Sequence, residues 1–245
     1  QGGSDPTFLV VADYPDQTSA SRLRPFVGPG EKVVKEAMRG AGIQRRNTTM
    51  GYAVMCRGIV PLDQTLARLR TRNAERRKRN TAAAREARKT GVAPEVLPML
   101  PTPMECCRPG VLAALRAAPQ RWVLAAGKLA AGAFLGGRPS IQAIRGGILD
   151  GDLTQREDGS LRLLPPGTPA PEGETVVRRD TRIVPTLDPG LVLAQQRWQG
   201  AFNRDLDRLV RWQRGTLTWE EPEIVYSPAP HDLDAFLSGP GPFVY

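Results

Sequence analysis

The sequence predicts an α/β fold in which helices cover both faces of a central four-stranded parallel sheet, a three-layer α/β/α arrangement carrying one basic helical insert. Three observations predict it. Short, continuous apolar runs occur where a strand buried on both faces would need them. Helix-periodic stretches separate those runs, and strand–helix alternation implies a parallel sheet with helices on both sides. Hydrophobic residues make up 40% of the 245, enough for a real core.

Taken in order, Thr7 to Ala12 is the first strand, an unbroken apolar run. Gly30 to Gly40 carries Val33, Val34, Ala37 and Met38 at helical spacing, and Gly40 is a natural stop. Met50 to Cys56 reads as the second strand. Pro109 to Ala118 reads as a helix leading into a third strand, Arg121 to Ala126, and Lys128 to Leu135 as a short Ala-rich helix after it. Ile148 to Leu164, with Asp158-Gly159 between two apolar pieces, has the signature of a hairpin inserted late. Pro165 to Glu174 is Pro- and Gly-rich loop. Thr181 to Leu187 is the fourth strand, and Asn203 to Gln213 closes the domain as an amphipathic helix.

One segment breaks the pattern. Leu62 to Thr90 holds Arg68, Arg70, Arg72, Arg76, Arg77, Lys78, Arg79, Arg85, Arg88 and Lys89 against Asp63, Glu75 and Glu86. Its net of +7 is most of the +9 of the whole chain. High helix propensity, with no Gly or Pro inside, predicts a helix. Its apolar residues are too few for a core position, so it should project into solvent within an insert spanning 62–104. A helix with this charge is suited to following phosphates by Coulomb attraction and counterion release. A solvated helix or loop with no partner is the alternative reading.

Three cysteines, Cys56, Cys106 and Cys107, are odd in number and form no disulfide framework, which points to a reducing compartment such as the cytoplasm of a bacterial or phage-infected cell. No apolar run approaches the roughly 18 residues of a membrane span, so no membrane partner is expected. Gln1-Gly2-Gly3-Ser4 reads as a tag remnant, 5–218 as the domain, and 219–245 as a Pro-rich tail too short to fold alone.

Several short motifs then fall in register. Arg24-Pro25-Phe26-Val27-Gly28 comes after the turn Ala12-Asp13-Tyr14-Pro15-Asp16. Cys56-Arg57 closes the second strand, and Cys107-Arg108-Pro109 lies further on. Trp122 to Ala130 forms a strand and helix start, and Val184-Pro185-Thr186-Leu187-Asp188-Pro189-Gly190 ends the series. Together, over roughly residues 7 to 213, they resemble the motifs of family-4-like uracil-DNA glycosylases. The resemblance implies the uracil-DNA glycosylase fold, a base flipped out of the stack, and stabilisation of its leaving-group charge. It implies that Asp13 positions or activates water, and that Phe26 stacks on the base. Tyr14 and Tyr52 then complete the base pocket, and Asp188 stands in the third motif.

The departures from that pattern decide the expected function. Asp188 replaces a histidine that donates to the uracil carbonyl, and an ionised carboxylate there repels a developing anion. Tyr52 replaces the asparagine that reads uracil, and a phenol lacks the paired donor and acceptor of an amide. The insert holds no histidine, so the covalent histidine chemistry of a related subgroup is unsupported. The four-cysteine iron–sulfur cluster of many members has only Cys56 and Cys107 to match it, and no cysteine precedes them, so no cofactor is expected unless upstream cysteines exist. Both are then core cysteines.

The resulting expectation is a DNA-binding domain with impaired base excision. The alternatives are an active glycosylase for uracil or a modified base, and a structural domain for protein assembly. From Pro222 to Tyr245 the tail resembles the linker and first strand leading into the proofreading exonuclease domain of family-A DNA polymerases. That implies a place in a replication protein of phage type, with exonuclease and polymerase domains further on as partners.

Overall fold

A computed structural model describes residues 8–22, 26–55, 62–117, 121–137 and 139–217. The strands are β1 (Phe8–Ala12), β2 (Thr48–Tyr52), β3 (Trp122–Ala126), β4 (Leu149–Gln155), β5 (Leu161–Leu164) and β6 (Thr175–Thr186). The helices are α1 (Gln17–Ser21), α2 (Pro29–Gly40), α3 (Leu62–Thr90), α4 (Pro103–Ala117), α5 (Lys128–Leu135), α6 (Ile141–Ile144), α7 (Pro189–Ala194) and α8 (Gln199–Gln213). Among the described residues no helix is long and apolar enough to cross a membrane.

All strands join one sheet in the order β2-β1-β3-β6-β4-β5. The first four are mutually parallel, with Phe8 level with both Thr48 and Trp122, and Trp122 level with Arg182. The expected four-stranded sheet is therefore corrected to a six-stranded, mostly parallel one. The reason lies in β6, which starts six residues earlier than its apolar run and so offers a free edge. The β4–β5 hairpin pairs antiparallel along that edge instead of standing apart. Register shifts in the β4–β6 pairing around Leu153, and the positive φ of Asp180 (50°), mark an irregularity in β6 just before it also pairs with β3.

Alternation along β1 and β3 divides the core. Phe8, Val10, Ala12, Trp122 and Leu124 face the side packed by α2, α7 and α8. Leu9, Val11, Val123 and Ala125 face α4, α5 and the hairpin. Each side has its own apolar cluster, so both faces of the central strands are dry, as a parallel sheet requires.

Two boundaries differ from the sequence reading for identifiable reasons. Helix α4 begins at Pro103, with Pro109 inside it rather than at its start. Thr102 and Glu105 form a reciprocal capping box, in which the Glu105 N–H donates to the Thr102 hydroxyl and the Thr102 N–H to the Glu105 carboxylate, and Pro103 suits the first helical position. Strand β2 ends at Tyr52 rather than Cys56, and Ala53 and Val54 extend past it by donating to the carbonyls of Ala12 and Asp13.

Candidate nucleic-acid site

The sheet reverses its winding between β1 and β3, and in open α/β sheets the crevice beyond the carboxyl ends at such a point is the usual ligand site. A pocket of about 220 Å³ opens beside this point, lined by Ala12, Tyr14, Asp16, Phe26, Tyr52 and Asp188, among others. Tyr14 and Leu193 stand exposed at its rim. The structure thus gathers Tyr14, Phe26, Tyr52 and Asp188 at one place, with Asp13 directly behind it at the end of β1.

Asp13 faces away from an open cavity. Its Oδ1 accepts from the backbone N–H groups of Leu129 and Ala130, both at 2.8 Å, in the first turn of α5. Gly127 makes this approach possible, since a Cβ there would lie 2.3 Å from that oxygen, and its φ of +112° suits glycine. Burial pushes the Asp13 carboxyl up to about 7, and the charge of Asp188 adds to the rise. The amide N–H groups of Ala130, Leu129 and Lys128 pull the other way.

Asp188 is half-buried and caps α7, its Oδ1 accepting from Leu191 N at 3.1 Å. Burial raises its pKa too, opposed by the Leu191 and Gly190 amides. Asp16 caps α1 through Ser19 N at 2.7 Å and fills the space beside Gly28, where any Cβ would collide with its carboxylate. Sequence reasoning passes over Asp16, although an Asp just before a helix start is a common N-cap signal.

The Phe26 ring is not open to a base. Tyr52 lies parallel to it, with ring centroids 4.8 Å apart and an angle of 8°. Phe26 is 3% exposed and Tyr52 9%. The Tyr52 hydroxyl accepts the Phe26 N–H at 2.9 Å, which holds the backbone of Phe26 at a positive φ of 55°. That conformation is costly for a bulky residue, on the order of 1–3 kcal/mol. Tyr52 thus covers one stacking face of Phe26, and little of the rest of that residue is exposed.

Helix α3 is the second part of the site. None of its described side chains is buried. At 3.6 residues per turn its cations fall into three rows: Arg68, Arg72 and Arg79; Arg70, Arg77 and Arg88; Lys78, Arg85 and Lys89. The remaining stripe, Leu66, Leu69, Asn73, Arg76, Asn80, Ala83 and Ala87, is half-buried. Against it lies the return segment 91–102. Asn73 pairs through its amide with both backbone groups of Leu100 (2.8 and 3.0 Å), and Asn80 does the same with Leu97 (2.9 Å each). Arg76 donates to the Pro98 carbonyl between them. Sequence reasoning misses this clamp; the seven-residue spacing of the two asparagines on a polar helix is its signal.

Cys107 is half-buried in α4 and its Sγ accepts from Met55 N at 3.3 Å. Cys56, Arg24, Pro25 and the whole tail lie outside the described residues. Among the described residues no group of three or more His, Cys, Asp or Glu is arranged to hold a metal ion. Compared with known proteins, the chain matches no protein-family model and no curated protein. Chemically, the pocket offers carboxylates engaged with helix N-termini and a closed aromatic pair, whereas α3 offers a dense cationic surface.

Proposed function

We propose that this chain is a DNA-binding domain of the uracil-DNA glycosylase type that does not release bases efficiently. The observation that carries the reading is α3, a 29-residue helix on which nine of the ten cations are exposed, in three rows. Such a surface gains affinity from counterion release and needs no base contact. The four parallel strands β2-β1-β3-β6 and the motif residues at their carboxyl ends support the finer family reading.

Binding is favoured over excision by the pocket. The Tyr52 ring occupies a stacking face of Phe26, the Asp13 carboxyl is engaged by α5, and the Asp188 carboxyl is spent on capping α7 where the family reading needs a neutral donor. A cytoplasmic replication protein with exonuclease and polymerase domains after this one is the proposed setting, on the strength of the tail sequence alone. A longer reading frame continuing with an Asp-x-Glu motif would support it, and a stop codon directly after Tyr245 would remove it.

The test is base release from a labelled, uracil-containing single strand, run beside fluorescence anisotropy of the same strand. Binding that weakens steeply with salt, without alkali-labile product above buffer, is expected. Product formation that disappears in Asp13→Asn would make the active-glycosylase reading the right one. Binding that is absent or indifferent to salt would leave the protein-assembly reading.

A further inference from the structure

We propose that the groove along the outer side of α2 is a second binding site, which holds a nucleic-acid strand by its phosphates. The proposal rests on the DNA-binding reading above but on different residues. The groove encloses about 770 Å³, against about 220 Å³ for the pocket at the strand ends. Lys32, Lys35, Arg39 and Arg45 line it, with Glu36 the one acidic residue among the lining. Lys32 pairs with Glu36 at 3.9 Å, an exposed contact that salt screens readily.

The spacing suits a polymer rather than a single anion. Lys32, Lys35 and Arg39 succeed one another at three and four residues, so they share one face of α2 over about 10 Å. Three cations in line can each neutralise one phosphate of a strand lying along the helix, up to three in all. Arg45 extends the path toward the amino end of β2, its guanidinium oriented by a 2.8 Å bond to the Thr48 carbonyl. Arg214 reaches the same end, within 3.3 Å of where a Cβ on Gly42 would stand.

At its other end the groove meets the strand-end pocket. Gly28 lines the groove, while the adjacent Pro29 and Gly30 line the pocket. A strand crossing the pocket therefore continues along α2 without leaving the surface. The chemistry also separates nucleic acid from an acidic protein. The apolar lining residues Met38 and Ile43 are 2% and 6% exposed, so the groove presents no aromatic or aliphatic anchor of the sort protein interfaces depend on. Phosphate contacts need only the cations.

The experiment is the salt dependence of binding to a single-stranded oligonucleotide, for the wild-type chain, Lys32→Gln/Lys35→Gln/Arg39→Gln, and Arg77→Gln/Lys78→Gln/Arg85→Gln on α3. The charge-conserving Lys32→Arg/Lys35→Arg/Arg39→Lys serves as the folding control. If three phosphates are held, the groove variant lowers the slope of log K against log salt by about 2, and the conserving variant restores it. A photo-crosslinker at Gln44 then captures the strand. A groove variant with the wild-type slope, beside an α3 variant that has lost its own share, overturns this proposal and leaves the DNA-binding reading standing. A wild-type chain with no salt-dependent binding overturns both. Displacement of the Gln44 crosslink by polyglutamate as readily as by oligonucleotide overturns the assignment to nucleic acid.

Discussion

Tyr52 joins three jobs in one side chain. Its ring covers Phe26, its hydroxyl accepts a buried N–H, and its backbone ends β2. Removing only the hydroxyl separates these. In Tyr52→Phe the rings still stack, but the Phe26 N–H loses its acceptor in a buried setting, which costs about 1–3 kcal/mol. Thermal melts should show a clear fall in Tm relative to wild type with an unchanged far-ultraviolet circular dichroism spectrum. An unaltered Tm would mean the strained Phe26 backbone does not depend on that bond. Sequence reasoning identifies Tyr52 as a poor replacement for a base-reading amide because hydrogen-bond type is visible in one letter. It does not identify the hydrogen bond to Phe26, which depends on a positive φ that no local pattern announces at a phenylalanine.

Among the elements, α3 and its return segment depend on two amides. An asparagine whose carbonyl and NH2 both engage one residue's backbone copies a strand's pairing, and it does so on a helix with little apolar surface to offer. Asn73→Ala/Asn80→Ala removes four hydrogen bonds, each contributing about 0.5–1.5 kcal/mol net. Faster amide exchange at Leu97 and Leu100, with α4 and the sheet unaffected, is the expected result; unchanged exchange would mean that the prolines of the segment hold it in place. The helix itself is legible from propensity and charge. The return is not, because its Val92, Val96 and Met99 suggest a buried strand and yet remain exposed. The start of α4 is hidden in a similar way: Pro109 draws attention as a helix opener, while the Thr102–Glu105 capping box several residues earlier does the opening.

At the scale of the molecule, Asp13 ties the end of β1 to the start of α5 across the middle of the sheet, and it does so as a group whose charge the interior resists. Its folded pKa of about 7 lies above the ordinary 3.8, so between these values the folded state binds more protons than the unfolded one. Stability is therefore greatest at the acid end of that window and falls as pH rises through it. Unfolding midpoints measured from pH 4 to 8 should decline in the wild-type chain and decline less in Asp13→Asn, which keeps an oxygen for the α5 amides. A wild-type profile no steeper than that of the variant would mean the carboxylate is as well solvated as in the unfolded chain. Parallel pairing of the four apolar strands is legible from strand–helix alternation. The joining of the hairpin to the sheet is not, because an apolar run marks where a strand is buried on both faces and says little about how far it extends beyond.

The three rows of cations on α3 also bear on valency. A helix that reads bases does so along one side, and the chemistry of that side fixes a register on the duplex. Here three rows of cations occupy the sides of α3 that the return segment leaves open, so on the DNA-binding proposal phosphates can approach from more than one direction. Under that proposal one row would touch one strand and a second row another, and α3 would act as a cross-bridge whose occupancy depends on how much DNA surrounds it.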